Sequence, residues 1–114
     1  MKPTIKNATI EKAYITLERG SFITMSLQLA HEDGHQVFAG GYNLYNVRFP
    51  YVGYLAHFVA RAMQLTGVDN FNQLPGKNIR ILSDDSRIYR IGHIYKDDWF
   101  DPDADIAMSK DMDQ

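Results

Sequence analysis

Phe22-Ile23-Thr24-Met25-Ser26-Leu27-Gln28-Leu29-Ala30-His31-Glu32-Asp33-Gly34 is the stretch whose reading decides the fold class. Ile23, Met25, Leu27 and Leu29 alternate strictly with Thr24, Ser26 and Gln28. That period of two describes a strand with one buried and one polar face, as in an antiparallel sheet. The stretch ends on Asp33-Gly34, the strongest short-range cue for a hairpin turn. Upstream, Ala13, Ile15 and Leu17 alternate with Tyr14 and Thr16 in a first strand, and Arg19-Gly20-Ser21 forms the turn between the two. Downstream, Gln36 to Leu44 reads as a third strand broken by Gly40-Gly41, where a bulge or sharp bend is expected.

Beyond it the period changes. Pro50 suits the first position of a helix, and Tyr51, Leu55, Phe58, Ala62 and Leu65 follow helical spacing, widened by Val52, Val59 and Met63. Gly67 is a natural C-terminal cap. A short helical turn is expected from Asp69 to Leu74, before Pro75-Gly76. Lys77 to Leu82 and Arg87 to Tyr95 read as a fourth and a fifth strand, joined by Ser83-Asp84-Asp85-Ser86. The order β-β-β-α-β-β predicts an α+β fold: a curved antiparallel sheet with one main helix packed on it. The oligonucleotide-binding barrel has the same order, so a partly open barrel is the alternative to an open sheet.

The chain has 114 residues, 45% of them hydrophobic, which suits one domain with a core of its own. We place that domain at 1–100 and an acidic tail at 101–114. Residues 97–114 hold seven Asp and one Lys, a net of −6, whereas residues 1–96 carry a net of +4. The tail is expected to be solvated and partly disordered, or else to mimic nucleic acid toward a basic partner. No cysteine is present, which excludes disulfides and thiolate chemistry and fits a reducing compartment. No run approaches a membrane span, and the polar start lacks the apolar stretch of a signal peptide. A cytoplasmic protein is expected.

Four histidines are candidates for chemistry. His31 and His35 flank a turn with Glu32 and Asp33, but two turn histidines fall short of the converging ligands a metal needs. His57 lies within the predicted helix. His93 follows Gly92 and precedes Tyr95-Lys96-Asp97; it is a candidate general base or, more simply, a structural residue bonded to backbone. No nucleophile elbow, phosphate loop, dinucleotide fingerprint or zinc-protease motif is found. No catalytic residue, metal or cofactor is therefore assigned. Aromatic and basic residues form a second constellation: Tyr42, Tyr45, Arg48 and Tyr51, with Arg80, Arg87, Tyr89 and Arg90 on the last hairpin. Such side chains stack on bases and pair with phosphate. Trp99-Phe100, at the head of the acidic tail, is expected to pack back on the domain or into a second subunit.

Several motifs resemble those of a family of small uncharacterised bacteriophage and prophage proteins. Asn7-Ala8-Thr9-Ile10 matches its "NATI" start. Gln36, Phe38, Gly40, Gly41 and Tyr42 match a "GQGFGGY" stretch. Gly67-Val68, Phe71, Leu74, Gly76-Lys77 and Ile79-Arg80 match a central region, and Ile91 to Ile94, Lys96-Asp97 and Trp99 to Pro102 match a closing "IGHI-KD-WFDP". The resemblance implies an origin in a mobile element. With the absence of catalytic motifs, it leads us to expect a non-enzymatic accessory protein that binds and antagonises a host protein or complex, as anti-CRISPR and other anti-defence inhibitors do. The alternative is a nucleotide or single-stranded nucleic-acid binding protein with an OB-like barrel; a small enzyme using His93 ranks third. The candidate contact residues are Gln36, Phe38, Tyr42, Tyr45, Arg48, Arg90, His93, Lys96, Trp99 and Phe100. A homodimer is expected, with Trp99-Phe100 near the contact.

Overall fold

One extra residue, Glu11, organises the sheet. In the first strand, β1 (Thr4–Glu18), the apolar residues Ala8 and Ile10 occupy even positions, but Ala13, Ile15 and Leu17 occupy odd ones. A regular strand would send these two sets to opposite faces. The pairing of β1 with β2 (Phe22–His31) shifts between Ile10 and Lys12, so that Ile10 faces Leu29 and Ala13 faces Leu27. The bulge brings both sets to one face, alongside Met25, Leu27 and Leu29. These three β2 residues are completely buried, as the strict alternation predicts, but Thr24 and Ser26 on the expected polar face are buried too, Thr24 donating to the Ala39 carbonyl at 3.2 Å.

The computed structural model describes residues 2–112, and their side chains except at 49–52 and 108–112. It shows an α+β fold: one open antiparallel sheet with a main helix against it. β3 (Gly34–Phe38) and β4 (Tyr45–Asn46) both pair with the free side of β2, at its end and its start respectively. Between them the chain leaves the sheet at Ala39-Gly40-Gly41, with φ of 68° at Ala39 and 99° at Gly41. Of the strand expected from Gln36 to Leu44, only Gln36–Phe38 is strand, as part of β3; the chain bends at the glycines, and β4 begins just beyond, at Tyr45.

β5 (Phe49–Gly53) pairs with β4, which corrects the helix predicted from Pro50. The helix α1 spans Leu55–Thr66 only. Tyr51 and Val52 extend its apolar stripe in sequence, yet a short apolar run fits either period, and pairing with β4 decides it. At the junction the backbone N–H groups of Tyr54 and Leu55 both donate to the Leu44 carbonyl, at 2.7 and 3.2 Å. A Cβ on Gly53 would lie 2.5 Å from that oxygen, so only glycine passes there. Gly67 caps the other end in the left-handed region, at φ 73°. A single 3₁₀ turn, Phe71–Gln73, follows, closed by reciprocal bonds between Asn70 and Gln73.

β6 (Asn78–Ser83) pairs with the first half of β1, β7 (Ile88–Gly92) with β6, and β8 (Trp99–Phe100) with β7. The path β5-β4-β2-β1-β6-β7-β8, with β3 also on β2, curls until Gln36 of β3 donates a 2.9 Å hydrogen bond to the Asp84 carbonyl beyond β6. No ladder joins β3 to β7 among the described residues, so the barrel does not close. Phe58, Ala62 and Leu65 of α1 fill the concave face. Phe100 meets Phe58 edge-on at 4.9 Å and Phe38 at 5.9 Å, and Tyr42 meets Phe58 at 5.5 Å. These rings tie β3, the glycine bend, α1 and β8 into one core.

The acidic segment also has structure. α2 (Pro102–Met112) starts with Asp101 as cap, its carboxylate accepting the Ala104 N–H at 3.1 Å, and with a buried Pro102 in the first helical position. Asp103 and Asp105 lie in its first turn, where the helix dipole favours negative charge. Ile106 packs against the core. The expected disordered tail is, through its first turns, a docked helix. Among the described residues no helix is long and apolar enough to cross a membrane.

Candidate protein-binding site

The segment between β7 and β8 is braced through the backbone of His93, Tyr95, Lys96 and Asp98. The His93 N–H donates to the Asp98 carbonyl and the Asp98 N–H to the Lys96 carbonyl, both at 2.9 Å. The His93 ring turns inward, and its Nδ1 accepts the N–H groups of Tyr95 (3.2 Å) and Lys96 (3.1 Å). Nδ1 is thereby an acceptor, which places the proton of the neutral ring on Nε2. Arg80 reaches across from β6 to donate to the carbonyls of His93 (2.8 Å) and Lys96 (2.6 Å). Arg61 of α1 binds the Asp98 carboxylate at 2.7 Å and the Trp99 carbonyl at 3.1 Å. From this braced loop Tyr95 projects with 77% of its surface exposed, its ring edge-on to His93 at 4.5 Å. Lys96 and Asp97 stand exposed beside it.

Below this loop, Arg80, Gly92 and Trp99 form a row across β6, β7 and β8, since Arg80 pairs with Gly92 and Gly92 with Trp99. Residues so paired point to the same face. Gly92 has no side chain, so the indole lies flat over it and meets the Arg80 guanidinium 4.9 Å from the ring centroid. Consecutive strand residues face opposite ways, so Phe100 enters the core while Trp99 covers the convex face. The Trp-Phe pair, expected to pack back on the domain or into a second subunit, packs on its own domain, one ring on each face.

The other candidates separate. Phe38 and Phe100 are about 1% exposed and serve packing, not contact. Gln36 is held by His31 (2.8 Å) and by the Asp84 carbonyl. Tyr45 sits half-buried in β4, and Arg48 is exposed in the turn after it. Arg90 lies on the convex face near Ile5, Leu82 and Trp99, its buried Nε without a partner. Of the aromatic and basic residues, Tyr42 and Arg87 line one groove with Gly40 and Gly41. The chain's own α2 already engages both: the Tyr42 hydroxyl donates to Asp103 at 2.6 Å, and Arg87 approaches the same carboxylate at 3.4 Å. Burial, then the bond to Asp103, pushes the Tyr42 hydroxyl up to about 12. His57 is likewise tied to Asp105, at 2.6 Å.

His31 is held through both nitrogens, by Gln36 and by the Asp33 N–H, and His35 lies 3.4 Å from Glu11. No group of acidic, cysteine or histidine side chains with metal-site geometry occurs among the described residues. Sequence reasoning left the exposed Tyr95 out of the candidates because it read the fifth strand through to that position. The signal was the hydrophilic run Lys96-Asp97-Asp98 directly after it, which marks a loop. The chain matches no protein-family model, and a search of curated proteins finds no match to it either.

Proposed function

We propose that this chain is a cytoplasmic binding protein without catalytic chemistry of its own. Its loop 93–98 recognises a host protein, in the manner of an anti-CRISPR or other anti-defence inhibitor. The observation that carries the reading is Tyr95, an aromatic side chain left in water on a loop braced on either side of it by His93, Arg80 and Arg61. Rigid exposed aromatics make binding anchors because little conformational freedom remains to be lost on association. Lys96 and Asp97 supply polar contacts around it, and the resemblance of this segment to phage proteins supports a host target.

The test is affinity capture from the bacterial host, followed by titration of the captured protein with wild type and Tyr95→Ala. Loss of a central anchor is expected to weaken binding roughly thirtyfold. The melting temperature should hold, because the ring is exposed and the loop is fastened through backbone, His93 and Arg80. Undiminished binding by Tyr95→Ala refutes the assignment of the loop. Co-purified ultraviolet absorbance, with binding to single-stranded DNA that falls steeply with salt, would favour the nucleic-acid alternative instead.

A further inference from the structure

The outer side of β1 changes character halfway along. Thr4 to Thr9 pair with β6, and Ile10 still exchanges hydrogen bonds with Lys77 and Gly76. From Glu11 to Glu18 no strand pairs on that side among the described residues, while β2 continues on the other. This is a long edge without proline or glycine, and an edge of that kind is a template for another strand. It is also apolar where it is free: Ile15 is 48% exposed, Leu17 56% and Tyr14 40%.

We propose that two copies of this chain pair antiparallel along the β1 edge, with Ile15 on the two-fold axis. Leu17 of each copy then faces Ala13 of the other, Thr16 faces Tyr14, and Glu18 faces Lys12. The sequence is self-complementary in this register. Ala13, Ile15 and Leu17 share one face, so the apolar rim of each sheet continues into that of its partner. Lys12, Tyr14, Thr16 and Glu18 share the other, where symmetry makes the Lys12–Glu18 pair twice. Moving the axis to Tyr14 sets Glu11 against Leu17; moving it to Thr16 sets Arg19 against Ala13. Both shifts lose the ion pairs. Parallel pairing in register would put lysine beside lysine and glutamate beside glutamate. The bulge at Glu11 ends the edge on one side, where that carboxylate already accepts from Gln28 at 3.3 Å and lies near His35. The turn at Arg19 ends it on the other.

Sedimentation equilibrium of the full chain over a range of concentrations tests this, with the fold of each variant checked by circular dichroism. Wild type is expected to dimerise. Ile15→Arg, which sets two cations on the axis, should give a monomer. Lys12→Glu should weaken the dimer about fivefold to tenfold at low salt, and the double variant Lys12→Glu/Glu18→Lys should restore it. The charge variants keep the experiment decisive if Ile15→Arg impairs folding, since Lys12 is exposed. A wild type that stays monomeric at high micromolar concentration overturns the proposal. So does a dimer indifferent to Lys12→Glu, or one that the double charge exchange fails to restore.

Discussion

Gly92→Ala adds one methyl group beneath the only tryptophan in the chain. A Cβ at that position would lie 2.6, 2.7 and 2.8 Å from three atoms of the Trp99 ring, Cε3, Cδ2 and Cζ3. Carbon atoms rest at about 3.5–4.0 Å, so the indole must retreat by about 1 Å. Overpacking of this kind costs about 1–3 kcal/mol. Retreat also weakens the stack with Arg80, worth about 0.5–1 kcal/mol at an exposed site. Against this, alanine in a strand gains about 0.5–1 kcal/mol over glycine, because the unfolded chain loses freedom. The gain offsets the loss of the stack and leaves the steric cost, a net destabilisation of about 1–3 kcal/mol. Thermal unfolding followed by Trp99 fluorescence reads both consequences at once: a lower melting temperature and a red-shifted native emission. In a Trp99→Ala background the same substitution should cost nothing or stabilise, since the atoms it strikes are gone. A Gly92→Ala variant at least as stable as wild type, with unchanged emission, would refute the account of the Arg80-Gly92-Trp99 row.

Leu27, completely buried on the concave face, should cost about 2–5 kcal/mol on replacement by alanine, measured by urea denaturation; less than about 0.5 kcal/mol would contradict its place in the core. Asp84 organises the β6–β7 turn. Its carboxylate accepts from the Tyr89 hydroxyl (2.5 Å), the Ser86 hydroxyl (2.7 Å) and the Ser86 and Arg87 N–H groups (2.8 and 3.0 Å). The Tyr89 bond, then those of Ser86, holds this carboxyl well below the ordinary carboxylate range. A depressed folded-state value gives stability that is complete above the unfolded value of about 3.9 and drains away as pH falls below it. The melting temperature of wild type should therefore drop on acidification below about pH 4, whereas Asp84→Asn should start lower at neutral pH and drop less. Parallel curves for the two proteins would exclude this carboxylate as the source.

How much could be read in advance differs from one residue to the next. Ile23 to Leu29 announced β2 because its apolar residues all face the core, which leaves a period of two in the sequence itself; that Thr24 and Ser26 on the other face are buried as well left no such mark. Asp33-Gly34, Gly40-Gly41 and Gly67 announced a turn, a bend and a cap because each position needs backbone geometry that glycine supplies most readily. Asp101-Pro102 carried the cap and first position of α2, but the run of acidic residues after it outweighed that signal. Its docking depends on Tyr42, Arg87 and His57, which lie far away in the chain.

From sequence alone came the α+β class, the antiparallel start and the presence of one main helix, all properties of local period and turn chemistry. Tertiary structure alone decided that 49–53 is strand, because the β4 partner is only two residues long and leaves no mark of its own. It alone placed Trp99 on one face and Phe100 on the other, and left Tyr95, not that pair, standing in water. Which side of a strand stays free, and which ring stays in water, follows from how far β6 runs along β1 and where Arg80 reaches. Those are distances between segments remote in the chain, and no local pattern records them.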